Sequence, residues 1–528
     1  MGETSNVLAR STGAVAVATA ASRVTGFLRT VVLAAVLGAA AVGDAYNGAN
    51  GLPNMVYELL IGGVMASVLV PVLVRARMRG RAYSVVFTQR LLLATTIASA
   101  LVTAVAVLAA PVFIAVLVRD PSQSRLATFL AYLLLPEIFF YALTATATAV
   151  LNIRGSYAPA AWAPVLNNAV VLATAGVFVL VPGPVTLTPS SMTTAQVLVL
   201  GLGTTAGIVV QAVWTVGALR ATGFRWSWRV RPLPYTLRPV RSGARVLTWI
   251  GLYVAVSQLG VVCVLRVAFS HGGVSTYTYA DLLFQVPYGI LGVSLLTVLM
   301  PRVADAVASG DRNALVSDIG RAARYSVVAL VPASVAMMLL GPMLTTVVFV
   351  GRVDLDAARL IGTALAVAAF GLAPFALVML QLRVFYAEND MRTPALINVA
   401  MVSTKVVVVA VCAATLPDEI VVATLPAAGS LSYVVGAACG HLVLRRRYGL
   451  LGFHAVLETL SRVLWASVIA GVVCVAAVGG AYLLLDDPRQ AAAAALLMAA
   501  AAGVPAFLLA ARTIGIPEIG HARTLIRG

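Results

Sequence analysis

Residues 14–37 read AVAVATAASRVTGFLRTVVLAAVL, an apolar stretch that is long enough to cross a bilayer and carries Arg23 and Arg29. A guanidinium stays charged at neutral pH and costs at least about 2.5 to 3.5 kcal/mol at the centre of a membrane, so it persists there only beside a partner or in water. The stretch therefore predicts a membrane-spanning helix whose arginines line a cationic cavity for an anionic substrate. The alternative is that one or both arginines lie near a helix end and extend to the lipid headgroups.

The whole chain has the composition of a polytopic membrane protein. Of its 528 residues, 61% are hydrophobic and 10% are charged, and the mean hydropathy is +0.98. Soluble domains carry about 25% charged residues, so this composition excludes a soluble core protein. Because apolar spans continue to the last residues and the first span contains arginines, we expect that span not to be a cleaved signal peptide.

Apolar windows of membrane-spanning length predict an all-α protein with fourteen transmembrane helices. The predicted spans are 12–38, 50–74, 86–118, 126–151, 158–182, 195–219, 246–270, 278–300, 324–350, 357–387, 394–416, 421–444, 461–485 and 490–511.

The distribution of arginine between the predicted loops fits this count. With a cytoplasmic N-terminus, the outside loops hold Arg119, Arg125, Arg352, Arg359 and Arg489, and every other loop arginine falls inside. This asymmetry follows the positive-inside rule and predicts that both termini are cytoplasmic. It also accounts for the net charge of +17, since short basic loops face an anionic leaflet, and we expect no nucleic-acid partner.

No motif for catalysis or metal binding is visible. The four cysteines and four histidines lack ligand spacing, and the chain has no phosphate-cradling GxxxxGK[ST], GxSxG or HExxH pattern. We therefore expect a transporter rather than an enzyme, with no bound cofactor, whose work is driven by the membrane potential or an ion gradient.

A faint internal repeat suggests two related bundles. Proline-containing segments around Pro136 and Pro374, and around Pro71 and Pro301, recur at offsets near 230 to 238 residues. Transporters are commonly built from two such halves with the substrate site between them. The predicted division is a six-helix bundle at 1–219, a basic linker at 220–245, a second six-helix bundle at 246–445, and two additional helices with a tail at 446–528.

The combined pattern of short motifs resembles the MurJ (MviN) family of lipid II flippases. The residues that carry the resemblance are SRVTGFLR (22–29), LGA (37–39), GDA (43–45), LPN (52–54), VPVL (70–73), LN (151–152), Pro164, YAD (279–281), Pro287, GILGV (289–293), MP (300–301), FYA (385–387) and TP (393–394). They extend over nearly the whole chain.

The resemblance implies a V-shaped fold of the multidrug/oligosaccharidyl-lipid/polysaccharide (MOP) exporter superfamily that works by alternating access. The implied substrate is lipid II, the undecaprenyl-diphosphate-linked peptidoglycan precursor, in the bacterial cytoplasmic membrane. By position, Arg23 and Arg29 would bind the diphosphate, which planar guanidinium groups hold well, and Asp44 would form a gating ion pair. The alternative for Asp44 is an N-cap of the second helix.

Several positions depart from the resembling family. Where many members carry an arginine after Leu-Pro-Asn of the second helix, this chain has Tyr57 and then Glu58, and where they carry one after Ala-Asp of the eighth helix, it has Leu282. An acidic position before the proline of the eighth helix is Gln285, and the acidic residue that often follows the arginine of the first helix is Thr30. The cavity has therefore lost cations on which the family elsewhere relies.

Two cations within predicted spans offer compensation. Arg266 lies in the seventh span, and we expect it to join the substrate cluster, because the first and seventh helices correspond in the repeat; the alternative is a place near the outer interface. Lys405 lies in the eleventh span, where it could substitute for a coupling cation or pair with Asp281 or Glu137. The candidate gating or coupling residues are Asp44, Asp281, Gln285, Lys405 and Glu137.

Three functions remain open at this stage. The first is flipping of lipid II, the second is flipping of another polyprenyl-diphosphate glycolipid, and the third is a non-transporting scaffold for envelope synthesis. The basic segment 220–245, with Trp226 and Trp228, could dock cell-wall synthesis proteins or anchor the chain at the membrane surface. The alanine-rich last two helices permit close packing or a lipid-facing groove, and the resemblance implies a groove for the polyprenyl tail.

Overall fold

The computed structural model describes residues 2–58, 73, 76–78, 80–184, 186–225, 244–449 and 452–518. Within these ranges the regular elements are all helices, and no strand is present. The chain forms two compact units, 1–258 and 259–528. The predicted linker 220–245 falls largely outside the described residues, so the predicted four-part division stays a prediction.

The helices of the first unit occupy most of its length. They are α1 (Gly2–Leu37), α2 (Ala41–Glu58), α3 (Arg81–Leu117), α4 (Pro121–Leu134), α5 (Glu137–Ile153), α6 (Ala158–Leu180), α7 (Thr194–Ala221) and α8 (Ala244–Ser270), the last of which continues into the second unit. Within this unit α1 packs on α6, α6 on α7, and α5 on both α3 and α7.

The second unit has nine further α-helices. They are α9 (Val274–Pro287), α10 (Val293–Ser309), α11 (Arg312–Val348), α12 (Leu355–Ala368), α13 (Leu372–Ala387), α14 (Arg392–Thr415), α15 (Asp418–Tyr448), α16 (Phe453–Leu484) and α17 (Pro488–Thr513). A π-helical turn, Tyr288–Gly292, joins α9 to α10, and a 3₁₀ turn, Ala369–Gly371, joins α12 to α13. Helix α11 is central, because α10, α12, α16 and α17 all pack against it.

Local capping signals in the sequence explain where several helices begin. Asp120, Asp311, Asp354 and Asp487 each precede a helix, and their carboxylates accept hydrogen bonds from backbone N–H groups of its first turn. Hydrogen bonds from the Ser122 hydroxyl and from the backbone N–H groups that follow lower the pKa of Asp120. These carboxylates satisfy N–H donors that a helix cannot pair internally.

Twelve helices in the described part of the chain are long and apolar enough to cross a membrane. They coincide with twelve of the fourteen predicted spans, and the all-helical membrane fold is confirmed. The second predicted span, 50–74, lies mostly outside the described residues. The eighth, 278–300, is helical throughout but is built from α9, the π-helical turn and α10. Pro287 has no backbone N–H to donate, and the backbone hydrogen bonds after it change from the α-helical to the π-helical pattern.

The fourth and tenth spans are each interrupted in the middle. In the fourth, Leu135 and Pro136 separate α4 from α5, and in the tenth the turn Ala369–Gly371 separates α12 from α13. The first interruption follows from proline, which lacks an N–H. It makes Glu137 the first residue of a new helix, where the helix dipole favours a carboxylate.

An ionic cluster fixes the loop between α13 and α14 to the end of α15. Arg447 contacts Glu388, Asp390 and the Thr393 hydroxyl, and Tyr448 donates a hydrogen bond to Glu388. Burial alone would raise the pKa of Asp390, but hydrogen bonds from Thr393 and Arg447 outweigh it and lower the pKa to about 2. The cluster therefore holds an ionised Asp390 at neutral pH.

Candidate substrate site

The two arginines of α1 lie in the middle of its membrane-spanning part and point to different faces. Six residues of an α-helix correspond to about 9 Å of rise and about 240° of rotation, so Arg23 and Arg29 do not form a single row. Arg23 is exposed in the structure, whereas Arg29 is partly buried. The Arg29 Nε atom is buried and has no hydrogen-bond partner in the described residues.

The segment between the arginines is held by α6. The Asn168 Nδ2 atom donates hydrogen bonds to Thr25 Oγ1, at 3.0 Å, and to the Ser22 carbonyl, at 3.2 Å. A Cβ atom at Gly26 would lie 3.5 Å from Asn168 Nδ2, which is an ordinary van der Waals contact, so Asn168 also packs against this glycine. The contact determines how α1 presents Arg23 and Arg29.

A buried polar group in the same unit surrounds Arg29. Its guanidinium interacts electrostatically with Glu137 and Tyr141 on α5 and with Tyr46 on α2. Glu137 is fully buried, and its Oε2 atom has no hydrogen-bond partner in the described residues. Its Oε1 atom lies 3.4 Å from the Thr205 hydroxyl of α7. A buried carboxylate of this kind needs a nearby cation, and Arg29 is placed to supply it.

Asp44 lies inside α2 rather than in front of it. The helix begins at Ala41, and Asp44 is in its first turn and fully buried. The alternative interpretation of Asp44 as the N-cap is therefore wrong, because the chain already turns into the helix three residues earlier. A carboxylate in the first turn still interacts favourably with the helix dipole. The predicted gating role of Asp44 stays a prediction.

An aromatic pair occupies the place where the resembling family often has an arginine. The rings of Tyr57 and Tyr141 lie 4.4 Å apart between centroids. The Tyr141 hydroxyl donates a hydrogen bond of 3.1 Å to Asn54 Oδ1. In this chain the side of α2 that faces α5 is thus aromatic and neutral at Tyr57, while Glu58 is exposed.

The second unit contains its own partly buried charge network. The Lys405 ammonium on α14 donates a hydrogen bond of 3.0 Å to the Tyr277 hydroxyl on α9 and interacts electrostatically with Asp281. Gln285 donates a hydrogen bond of 2.6 Å to Asp281 Oδ2. Tyr277, Asp281 and Gln285 are four residues apart in turn, so they share one face of α9. The sequence left Asp281 and Glu137 open as partners of Lys405. Asp281 interacts electrostatically with Lys405, whereas Glu137 interacts with Arg29.

Arg266 is placed close to the end of its helix. It lies four residues before Ser270, the last residue of α8, and is partly buried. Its Nη1 atom is buried and has no hydrogen-bond partner in the described residues. This position is compatible with a place in the substrate cluster and with a place near the outer interface. The role of Arg266 in substrate binding stays a prediction. Leu282, which replaces another family arginine, is partly buried on α9.

An apolar pocket of about 400 Å³ lies between α11, α16 and α17. Small residues contribute much of its lining, among them Gly471, Gly503 and several alanines. Its lining residues on α11 run from Pro332 to Leu344, and those on α17 include Phe507. Such a pocket suits a hydrocarbon chain.

No group of three or more histidine, cysteine, aspartate or glutamate residues that could hold a metal ion occurs in the described ranges. The four cysteines are free thiols.

Solved structures of similar fold define the class of this protein. A lipid II flippase MurJ in the inward closed conformation superposes with a TM-score of 0.75 at 16% identity, covering 97% of this chain and 99% of that chain. An inward-facing multidrug resistance MATE family transporter of the MOP superfamily superposes with a TM-score of 0.64 at 15% identity, covering 82% of this chain and 95% of that chain. The fold is that of the MOP-superfamily membrane transporters.

The sequence comparisons identify the family. The model of the family "Lipid II flippase MurJ" matches residues 33–484, and the chain belongs to that family. A probable lipid II flippase MurJ of Rhizobium meliloti is 27% identical over 389 residues, which are 71% of this chain and 70% of the relative. The lipid II flippase MurJ of Burkholderia cenocepacia is 28% identical over 389 residues, 72% of this chain and 73% of the relative.

Sequence reasoning missed several residues of these networks, among them Asn168, Thr205, Tyr46 and Tyr277. Tyr277 carries a usable signal, because it precedes Asp281 by one helical turn. The other three become visible only when separate helices pack, since each contacts a residue more than sixty positions away.

Proposed function

We propose that this protein moves lipid II from the inner to the outer leaflet of the bacterial cytoplasmic membrane by alternating access, with both of its termini in the cytoplasm. Membership of the lipid II flippase MurJ family supports the substrate. The observation that carries the mechanism is the pair of arginines in the spanning part of α1, one of them beside the buried Glu137.

The arginines suit the diphosphate of this substrate. A guanidinium offers planar, paired N–H donors and keeps its charge in an apolar setting, so it binds phosphate oxygens more strongly than a neutral donor does. Arg23 is exposed on α1. Arg29 interacts electrostatically with the buried Glu137, and we propose that the diphosphate competes with Glu137 for it.

The apolar pocket between α11, α16 and α17 suits the polyprenyl tail. Its described lining consists almost entirely of Leu, Val, Ala, Met, Phe and Gly side chains. Burial of hydrocarbon stabilises a complex by about 25 cal/mol for each Å² removed from water, although in a bilayer the gain is limited to better packing. The pocket therefore guides the tail rather than supplying most of the affinity.

The partly buried charges in the second unit suit a coupling role. Lys405 is an ammonium fixed by Tyr277 and balanced by Asp281. A cation within a membrane-spanning helix can respond to the membrane potential when the helix moves, because a unit charge that moves through 100 mV gains about 2.3 kcal/mol. We propose that the membrane potential or an ion gradient drives the cycle through these residues, with Gln285 orienting Asp281.

A related substrate is the second candidate. The aromatic pair Tyr57 and Tyr141, and Leu282, stand where the family often carries arginines. Fewer cations would favour a glycolipid with the same diphosphate and a different head group, since the remaining arginines still bind the anion.

Complementation tests both candidates. The wild-type protein and an Arg23→Ala/Arg29→Ala variant are expressed in a strain depleted of its lipid II flippase, and exported lipid II is quantified directly. We expect rescue by the wild type and none by the double variant at equal expression. Failure of the well-expressed wild type would contradict lipid II as the substrate and favour the second candidate.

A further inference from the structure

A cavity of about 490 Å³ lies at one end of the first unit, away from the arginines of α1. Its described lining comes from Leu73 and Arg77, the start of α3, the end of α5 and the turn after α7. Its described lining is Leu73, Arg77, Ser84, Val85, Thr88, Val150, Ile153, Arg154, Thr222 and Gly223.

The described lining is cationic. Arg77 and Arg154 both contribute to it, and it includes no carboxylate. Arg77 donates a hydrogen bond to the Ile153 carbonyl, and Arg154 donates one of 3.0 Å to the Thr222 hydroxyl. Each of these bonds leaves from an Nη1 atom and positions the side chain at the cavity. Two positioned guanidinium groups without a carboxylate between them attract an anion.

The remaining lining divides into a polar and an apolar part. Ser84, Thr88 and Thr222 supply hydroxyl groups, and Leu73, Val85, Val150 and Ile153 supply hydrocarbon. The Arg154 guanidinium also lies over the Phe224 ring, 5.4 Å from its centroid, which keeps it in a partly desolvated position. A fully polar anion would leave the apolar part of the cavity in contact with water.

We propose that this cavity binds the phosphate of an anionic phospholipid from the surrounding leaflet. The phosphate would lie between Arg77 and Arg154, the glycerol backbone would face the hydroxyl groups, and the first methylenes would face the apolar residues. The positive-inside distribution predicts that this end of the unit is cytoplasmic, where the leaflet is rich in anionic lipid. This site is separate from the proposed transport site and holds a resident lipid.

Native mass spectrometry of the full-length protein with phosphatidylglycerol tests the proposal. We expect the wild type to retain one phosphatidylglycerol molecule. We expect an Arg77→Gln/Arg154→Gln variant to bind it about a hundredfold more weakly, because each of two lost charge-assisted hydrogen bonds raises the dissociation constant about tenfold. Equal retention by the wild type and this variant would overturn the proposal.

Two further variants separate binding from folding. Ser84→Leu fills the cavity and leaves both arginines in place, so it should weaken retention to a similar degree. An Arg220→Gln/Arg225→Gln variant removes the same charge from two exposed positions outside the cavity and should retain lipid as the wild type does. If the control variant loses the lipid equally, general charge rather than this cavity explains the binding.

Two competing ligands identify the source of the phosphate. Inorganic phosphate at millimolar concentration should not displace the lipid, because it does not fill the apolar part of the cavity. Lipid II should not displace it either. Displacement by inorganic phosphate would overturn the lipid assignment, and displacement by lipid II would assign the cavity to the transported substrate. Neither result depends on measured transport, so the proposed function can stand or fail independently.

Discussion

The Asn168 side chain on α6 donates a hydrogen bond of 3.0 Å to the Thr25 hydroxyl on α1, between Arg23 and Arg29. The Thr25 hydroxyl in turn lies 2.8 Å from the Ala21 carbonyl, so it is bonded on both sides. Together with the packing of α1 on α6, this contact helps to fix the rotation of the helix that carries both arginines. Any ligand that the arginines bind depends on this rotation.

Loss of this contact should weaken transport without removing a charge. We expect Thr25→Val to lower the free energy of unfolding by about 1 kcal/mol, the usual net contribution of one such hydrogen bond. It should also lower the rate of lipid II export, since both arginines lose their fixed direction. Thermal unfolding and export are measured together. Thr25→Ser keeps the hydroxyl and is the matched control; equal export by both variants would contradict the positioning role.

The Lys405 network should behave as a coupled unit. Lys405→Met removes the hydrogen bond to Tyr277 and leaves Asp281 without its nearby cation, and we expect it to be destabilising by about 1 to 3 kcal/mol, the usual contribution of a hydrogen bond to a charged group. Adding Asp281→Asn should recover part of this loss, with a coupling free energy of about 1 to 2 kcal/mol. Denaturation of the two single variants and the double variant gives the value directly. Strict additivity would show that Lys405 and Asp281 do not interact.

The ionic cluster at Arg447 should make stability depend on pH in the acid range. The pKa of Asp390 is lowered from its ordinary value of 3.8 to about 2 in the folded protein. A lowered pKa stabilises the fold above the unfolded value and loses that contribution as the pH falls through the folded value. We therefore expect the stability difference between wild type and Asp390→Asn to be constant above about pH 5 and to shrink between about pH 4 and pH 2. A difference that is the same at pH 2 and pH 7 would contradict this account.

Filling the apolar pocket should discriminate between substrates by tail length. Ala500 lines this pocket and is exposed to it on α17. We expect Ala500→Phe to reduce the export of lipid II with its natural polyprenyl chain and to affect a short-chain analogue much less. Transport of the two substrates in vesicles is compared. An equal reduction for both would show that the pocket does not hold the tail.

The sequence predicts the membrane architecture well because its signals are local. Asp120, Asp311, Asp354 and Asp487 start helices by capping them, and Pro136 and Pro287 interrupt them for reasons contained in a few residues. The positions of Arg23, Arg29 and Lys405 within apolar stretches are equally visible.

The partners of these charges could not be predicted to the same degree. Asn168 contacts Thr25 across 143 positions, and Lys405 contacts Tyr277 across 128 positions. Such contacts depend on which helix faces pack together, and apolar composition on nearly every face hides that information. Asp44 shows the same limit at short range, since the position of a helix start can differ by a few residues from the one that its residues suggest.

Binding of purified protein to lipid II tests the central claim most directly. Three proteins are compared at equal ionic strength: the wild type, Arg23→Ala/Arg29→Ala, and the control Arg119→Ala/Arg125→Ala, which removes two exposed arginines from the predicted outer side. We predict that the first double variant loses affinity by about a hundredfold, as expected for two charge-assisted contacts, and that the control does not. Equal affinity of all three proteins for lipid II would contradict diphosphate binding by Arg23 and Arg29.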